Sequence, residues 1–432
     1  MAITIIWTIV LFMVVTIIGL ILRRSESLNR ANAELWLLTA IIKLVIIVFM
    51  YFALGTFIDE TVWIDTVAYF TKANALANNT MMIGELTAGM EWPPHVGYEI
   101  LLGYLFKITG SSDFFAGFFN GFLSIIGSLI LYKIAKYLVD SNKAIKTAAL
   151  FNLYPLTIHF SLYVLKDISV MLLCELCMLF GLQILIEKRY KAIPLFGFAV
   201  FILLFFRSFF AIFAIMWLVI CICLQSNISK RRRVIYIFLA VVVGVTGTTF
   251  LSSGEINAGY TIGGSDSFLD FIPRMRLNFT VDSFIQLFQE LGNQIVAFIK
   301  LVMREILLVL VGPFYYLSPS QLLYIEATRG YRFILFENLG SIFTILLFPG
   351  YFYSRKYQLT EKEPTKYIKM YILLLFCSLL LVGDIRWKLS IMPLLILLYV
   401  SGMFTHSREH FRMWFFIELL LGVVLVAYRL FL

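Results

Sequence analysis

The sequence is poor in charge. Only 14% of its 432 residues are Asp, Glu, Lys or Arg, against about 25% in an ordinary globular chain. Apolar residues make up 61% and the mean hydropathy is +0.91. That balance excludes a soluble domain. Cysteine is scarce, and Cys174, Cys177, Cys221, Cys223 and Cys377 all fall inside apolar runs. No disulfide framework is suggested. Cys174-Glu-Leu-Cys177 has CxxC spacing, but it lies mid-helix with no second pair and no nearby His, so it reads as two small buried residues. The alternating ten-residue segments of a membrane barrel are also missing. What remains is a chain of repeated apolar runs near 20 residues long, the signature of an all-α integral membrane protein.

The net charge of +9 is not a nucleic-acid signal, because the basic residues sit in short loops between apolar runs, as the positive-inside rule expects. That rule orients the chain. The first helix (about 3–22) lacks a positive segment before it and is followed by Arg23 and Arg24, so it reads as a retained span with its N-terminus outside. A second span (about 36–57) returns to the outside. Residues 58–112 stay there as a first outer loop, and 96–109 is short and aromatic enough to lie in the interface. Spans at about 113–138, 147–164 and 168–187 follow. Residues 193–224 lie between two basic loops and must form a hairpin, with Arg207 near its tip. Lys230-Arg231-Arg232-Arg233 marks the cytoplasm before a span at about 234–252. A long outer or re-entrant segment, 253–330, carries charges within its apolar run at 295–315. Spans at about 332–352, 367–383, 389–404 and 414–431 close the chain. The expectation is one polytopic domain over 1–432 with about twelve spans.

Charge beside a bilayer costs free energy and calls for a reason. The orientation gathers Asp59, Glu60, Asp65, Glu91, His95, Lys166, Asp167, Arg207, Asp384, Arg386 and Lys388 on the outer side. A membrane enzyme acting there on a lipid-linked substrate needs a carboxylate to take a proton from an acceptor hydroxyl. It needs cations, or a metal held by carboxylates, for a phosphate leaving group. It also needs an amphipathic surface beside lipid. All three are present. Each residue also has a plainer reading. Asp59 and Glu60 suit a solvated helix end, Asp65 a helix N-terminus, and His95 a packed interface. Lys166-Asp167 suits a snorkelling pair, and Arg207 among Phe205, Phe206, Phe209 and Phe210 suits cation–π packing.

Asp65-x-x-x-Tyr69-x-x-x-Ala73, then Glu91-Trp92-Pro93-Pro94 before an aromatic interfacial segment ending at Gly110, resembles the first outer loop of GT-C membrane glycosyltransferases. Bacterial aminoarabinose transferases and protein O-mannosyltransferases belong to that superfamily. Lys166-Asp167, Leu203-Leu-Phe-Phe-Arg207 and Gly383-Asp-Ile-Arg386 before Pro393 resemble further family features. The likeness spans about 57–225 and, weakly, 380–404. It implies a GT-C-like fold and a polyprenyl-phosphate-linked sugar donor, with a glycan or lipid acceptor. Asp65 would be the catalytic or acceptor-orienting carboxylate, with Glu91 and Asp167 beside it. Arg207, Arg386, Lys166 and Lys388 would receive the donor phosphate, and Asp59, Glu60, Tyr69 and His95 would line the acceptor side. A divalent metal at Glu91 and Asp167 stays open, since many members need none. Trp92 departs from the Lys that aminoarabinose transferases place before the two prolines, and Asp59-Glu60 competes with Asp65. A repeat-unit polysaccharide polymerase using Arg274, Arg276, Arg304 and Arg329, and a transporter of lipid-linked glycans, are the alternatives. The Phe-, Ile- and Lys-rich composition suits the cytoplasmic membrane of a low-GC bacterium.

Overall fold

The computed structural model describes residues 2–25, 28–58, 64–87, 96–225, 363–382 and 385–403, with isolated positions at 231–238 and 339–350. The expected spans at 234–252 and 414–431 and the segment 253–330 lie essentially outside these residues. Among the described residues every regular element is helical. Five helices are long and apolar enough to cross a membrane: α1 (Ala2–Arg23), α2 (Arg30–Leu54), α6 (Asp113–Ala135), α9 (Asp167–Leu185) and α11 (Ser208–Gln225). Helix α1 lies at the periphery, with Ile3, Ile6, Met13 and Ile17 exposed for lipid. Helix α9 runs through the centre, with Met171, Cys177, Met178 and Leu182 fully enclosed.

Helix ends are fixed by local chemistry. Asn29 accepts from Ala31 N at the start of α2, and Gly55, with φ of 78°, ends it in the left-handed conformation that glycine adopts without strain. Ser112 caps α6 by accepting from Phe115 N. Asp113, the first residue of α6, also ties down the exit of α2. Its Oδ2 accepts from Phe57 N at 2.9 Å and from Thr56 Oγ1 at 2.7 Å.

The expected span at 147–164 is corrected. The chain there makes α7 (Ser141–Asn152) and, after a break at Leu153-Tyr154, α8 (Pro155–Ser161). Pro155 has no N–H to continue the ladder, and its ring restricts the residue before it, so one helix ends and another begins. The hairpin at 193–224 forms as the loop charges require: α10 (Ile193–Phe206) and α11 flank an extended Arg207. Near the end of the described chain come α12 (Glu363–Val382), a 3-10 turn (Ile385–Ser390) and α13 (Met392–Met403).

Apolar burial does not hold helices together in lipid, so close packing and internal hydrogen bonds must do so. Asn120, Ser124 and Ser128 recur at every fourth residue of α6 and form a polar stripe. Trp36 Nε1 donates to Ser128 Oγ at 3.0 Å, and Lys43 Nζ donates to Ser124 Oγ and to Thr157 Oγ1. At the α9–α11 crossing, a Cβ on Gly181 would collide with the Trp217 ring. That ring is held by its Nε1, which donates to Tyr367 O at 2.8 Å. Gly181→Ala should therefore lower stability by about 1–3 kcal/mol through overpacking. Thermal unfolding in detergent checks this, and an unchanged midpoint would refute it.

Candidate functional site

The two ends of the bundle differ in chemistry. At one end Asn29 N donates to Asn142 Oδ1, Lys188 Nζ donates to Gln225 Oε1, and Tyr137 OH pairs with Glu187. This end gathers the loops that carry Arg23, Lys143, Lys188 and Arg189. The other end carries α3 (Ile64–Ala77), α4 (Ile83–Thr87) and α5 (Gly97–Thr109). Helices α3 and α5 lie against each other through Tyr69–Tyr98 and Phe70–Phe106, with ring centroids 5.3 and 5.5 Å apart. The short α5 falls within the stretch 96–109 that the sequence marks as an aromatic amphipathic segment.

Asp65, Tyr69 and Lys72 are spaced i, i+4 and i+7 on α3 and share one face. Tyr69 is buried, and Lys166 Nζ sits 5.8 Å from its ring centroid, a cation–π contact. Lys166 precedes α9 and Asp167 is its first residue, where the helix dipole favours a carboxylate. The chain just before α9 is not helical. Asn120 Nδ2 on α6 donates to Tyr163 O at 3.0 Å and to Leu165 O at 3.1 Å, satisfying carbonyls that no helix serves.

Arg207 and Asp167 come together. Arg207 Nη2 donates to Asp167 Oδ1 at 3.1 Å, and both side chains are buried. The break between α10 and α11 delivers the guanidinium there, since Arg207 is extended (φ −158°, ψ 102°). Lys388 is buried in the 3-10 turn that packs on α9, and Arg386 belongs to the same turn. Asp59, Glu60, Glu91, His95 and Asp384 lie outside the described residues.

Sequence reasoning missed Glu99 and Lys72. Glu99 is 2% exposed, and its Oε1 lies 3.8 Å from Lys72 Nζ. Burial pushes the Glu99 carboxyl above its usual range, and the charges of Lys166 and Lys72 act against that push. The usable signal was a lone acidic residue on the apolar face Glu99, Leu102, Phe106, spaced i, i+3, i+7. Cys174 and Cys177 are buried free thiols, as expected for packing residues.

No group of three or more His, Cys, Asp or Glu converges as a metal site among the described residues. Asp167 Oδ1 is engaged by Arg207 and Glu91 lies outside those residues. Of the two residues expected to hold a divalent metal, only Asp167 is among the described ones, and no chemical step below runs through a metal.

Residues 92–249 match the family of dolichyl-phosphate-mannose-protein mannosyltransferases, a GT-C glycosyltransferase family. The chain resembles a GT-C-type membrane glycosyltransferase. No curated protein matches it. The matched stretch contains Glu99, Asn120, Lys166, Asp167 and Arg207, so the buried ion pair and its surroundings lie within the GT-C-type portion. Tyr69 and Lys72 precede it and reach Lys166 and Glu99 through the packing of α3 on α5, and Asp65 lies one turn before Tyr69 on the same face.

Proposed function

We propose that this GT-C-type glycosyltransferase moves a sugar from a polyprenyl-phosphate donor to a glycan, lipid or polymer acceptor on the outer face of a bacterial cytoplasmic membrane. The observation that carries this reading is the gathering, at one end of the bundle, of Lys166 and the buried Asp167–Arg207 pair beside the α3 face that bears Asp65. Carboxylates and cations converge there next to interfacial helices, which is the equipment that glycosyl transfer from a lipid phosphate needs. The basic turns at the opposite end support an outward-facing site, because such turns remain in the cytoplasm.

In the reaction, the acceptor oxygen bonds to the anomeric carbon as the bond from that carbon to the phosphate oxygen breaks. The acceptor proton passes to Asp65. The leaving phosphate gains a negative charge, which the cations stabilise. Arg207 holds Asp167 in place at the helix start. Glu91, Asp59, Glu60, Tyr69 and His95 complete the acceptor side in this scheme, with Arg386 and Lys388 as further phosphate candidates.

The test presents purified protein with polyprenyl-phosphate sugars one at a time and measures released polyprenyl phosphate. Asp65→Asn should lower the rate by roughly 10²–10⁴-fold, the usual worth of a general base, with unfolding unchanged. Full activity in that variant would sink the assignment of Asp65. Consumption of a diphosphate-linked oligosaccharide, with no monosaccharide donor used, would favour the polymerase. The transporter alternative expects charges lining a path through the midplane. Lys43 and Glu175 do lie within the spans, but both are enclosed and Lys43 is hydrogen-bonded to Ser124 and Thr157, which supports an enzyme over a conduit.

A further inference from the structure

The Lys72–Glu99 contact has no part in the scheme above. A carboxylate buried as deeply as Glu99 is costly unless cations and donors surround it. Lys72 Nζ lies 3.8 Å from Oε1, while Oε2 has no hydrogen-bond partner among the described residues. The charge of Lys166, from the start of α9, also reaches this carboxylate. Arg207 and Asp167 neutralise each other nearby. Lys72 and Lys166 thus flank one deeply buried carboxylate. One side is open, because the Lys72 side chain is 37% exposed whereas that of Glu99 is 3% exposed.

The geometry points to Lys72 and Lys166 as the cation pair that takes the phosphate of the lipid-linked donor, with Glu99 as the positioning residue that holds the Lys72 ammonium at its rim. This rests on the donor class proposed above. A sugar phosphodiester carries one negative charge, and the departing monoester carries up to two. Cations placed here therefore bind the leaving state more tightly than the donor, which is the condition for catalysis rather than mere binding. Glu99 also offsets part of that positive charge, so that the more charged product can leave. The described groups acting on Glu99 are Lys72 from α3, Lys166 from the start of α9 and Tyr98 from its own helix.

The probe is undecaprenyl monophosphate, with undecaprenol as its uncharged match, bound to the full-length protein in detergent and read by native mass spectrometry. Wild type should prefer the monophosphate. Lys72→Met should lose roughly ten- to a hundredfold of that preference, the scale of one charge-assisted contact. It should bind the alcohol as before, which also reports that it is folded. Lys72→Arg should keep most of the preference. Glu99→Gln should hold the monophosphate several-fold tighter while kcat falls and product inhibition deepens. A purely structural glutamate would not separate affinity from turnover in this way. An unchanged preference in Lys72→Met, or a Glu99→Gln variant that weakens both lipids equally, overturns the inference and leaves the donor class standing. A wild type that does not distinguish the two lipids overturns both.

Discussion

Arg207→Met is expected to abolish sugar transfer and to lower stability by about 3–5 kcal/mol, the cost of stranding one member of a buried ion pair. Asp167 would then keep its buried carboxylate at the start of α9 without the guanidinium that lies 3.1 Å away. Arg207→Lys should recover part of the stability. It should recover less of the activity, because an ammonium cannot reproduce the planar fork of the guanidinium. The double variant Arg207→Met/Asp167→Leu should regain most of the stability and none of the transfer. Thermal unfolding in detergent beside the donor assay separates the two effects. A single Arg207→Met variant with a wild-type midpoint would show that the pair does not hold the helices.

The second large effect lies within the spans. Lys43→Met should cost about 1–3 kcal/mol, since Lys43 Nζ donates to Thr157 Oγ1 at 2.8 Å and to Ser124 and both enclosed hydroxyls lose that partner. Lys43→Met/Glu175→Leu should restore most of that loss, because the enclosed Glu175 carboxyl has no hydrogen-bond partner on either oxygen among the described residues and an apolar group there removes a desolvation cost. Transfer should persist in the double variant. Its loss despite recovered stability would give the pair a direct part in function and would revive the conduit reading.

Much of the bundle was legible because its signals are local. Apolar run length placed α1, α2, α6 and α9, and the bracketing basic loops required the α10–α11 hairpin with Arg207 at its turn. Pro155 was also visible, yet total hydropathy over 147–164 concealed that it divides the stretch into two helices. Residue types at the site were readable, but pairings were not. Arg207 and Asp167 are 40 positions apart, on elements whose approach depends on packing. Glu99 was lost inside an aromatic run, where its burial depends on α3 lying across α5.

Asn120 sits on the long helix α6, yet its amide serves the carbonyls of Tyr163 and Leu165 ahead of Asp167. The depth of the carboxylate is thus set by a membrane-spanning strut and not by the external connections. Changes in the loop helices α3 and α4 would therefore leave that carboxylate at the same level. An enzyme built this way can change its clientele over evolution without rebuilding its chemistry.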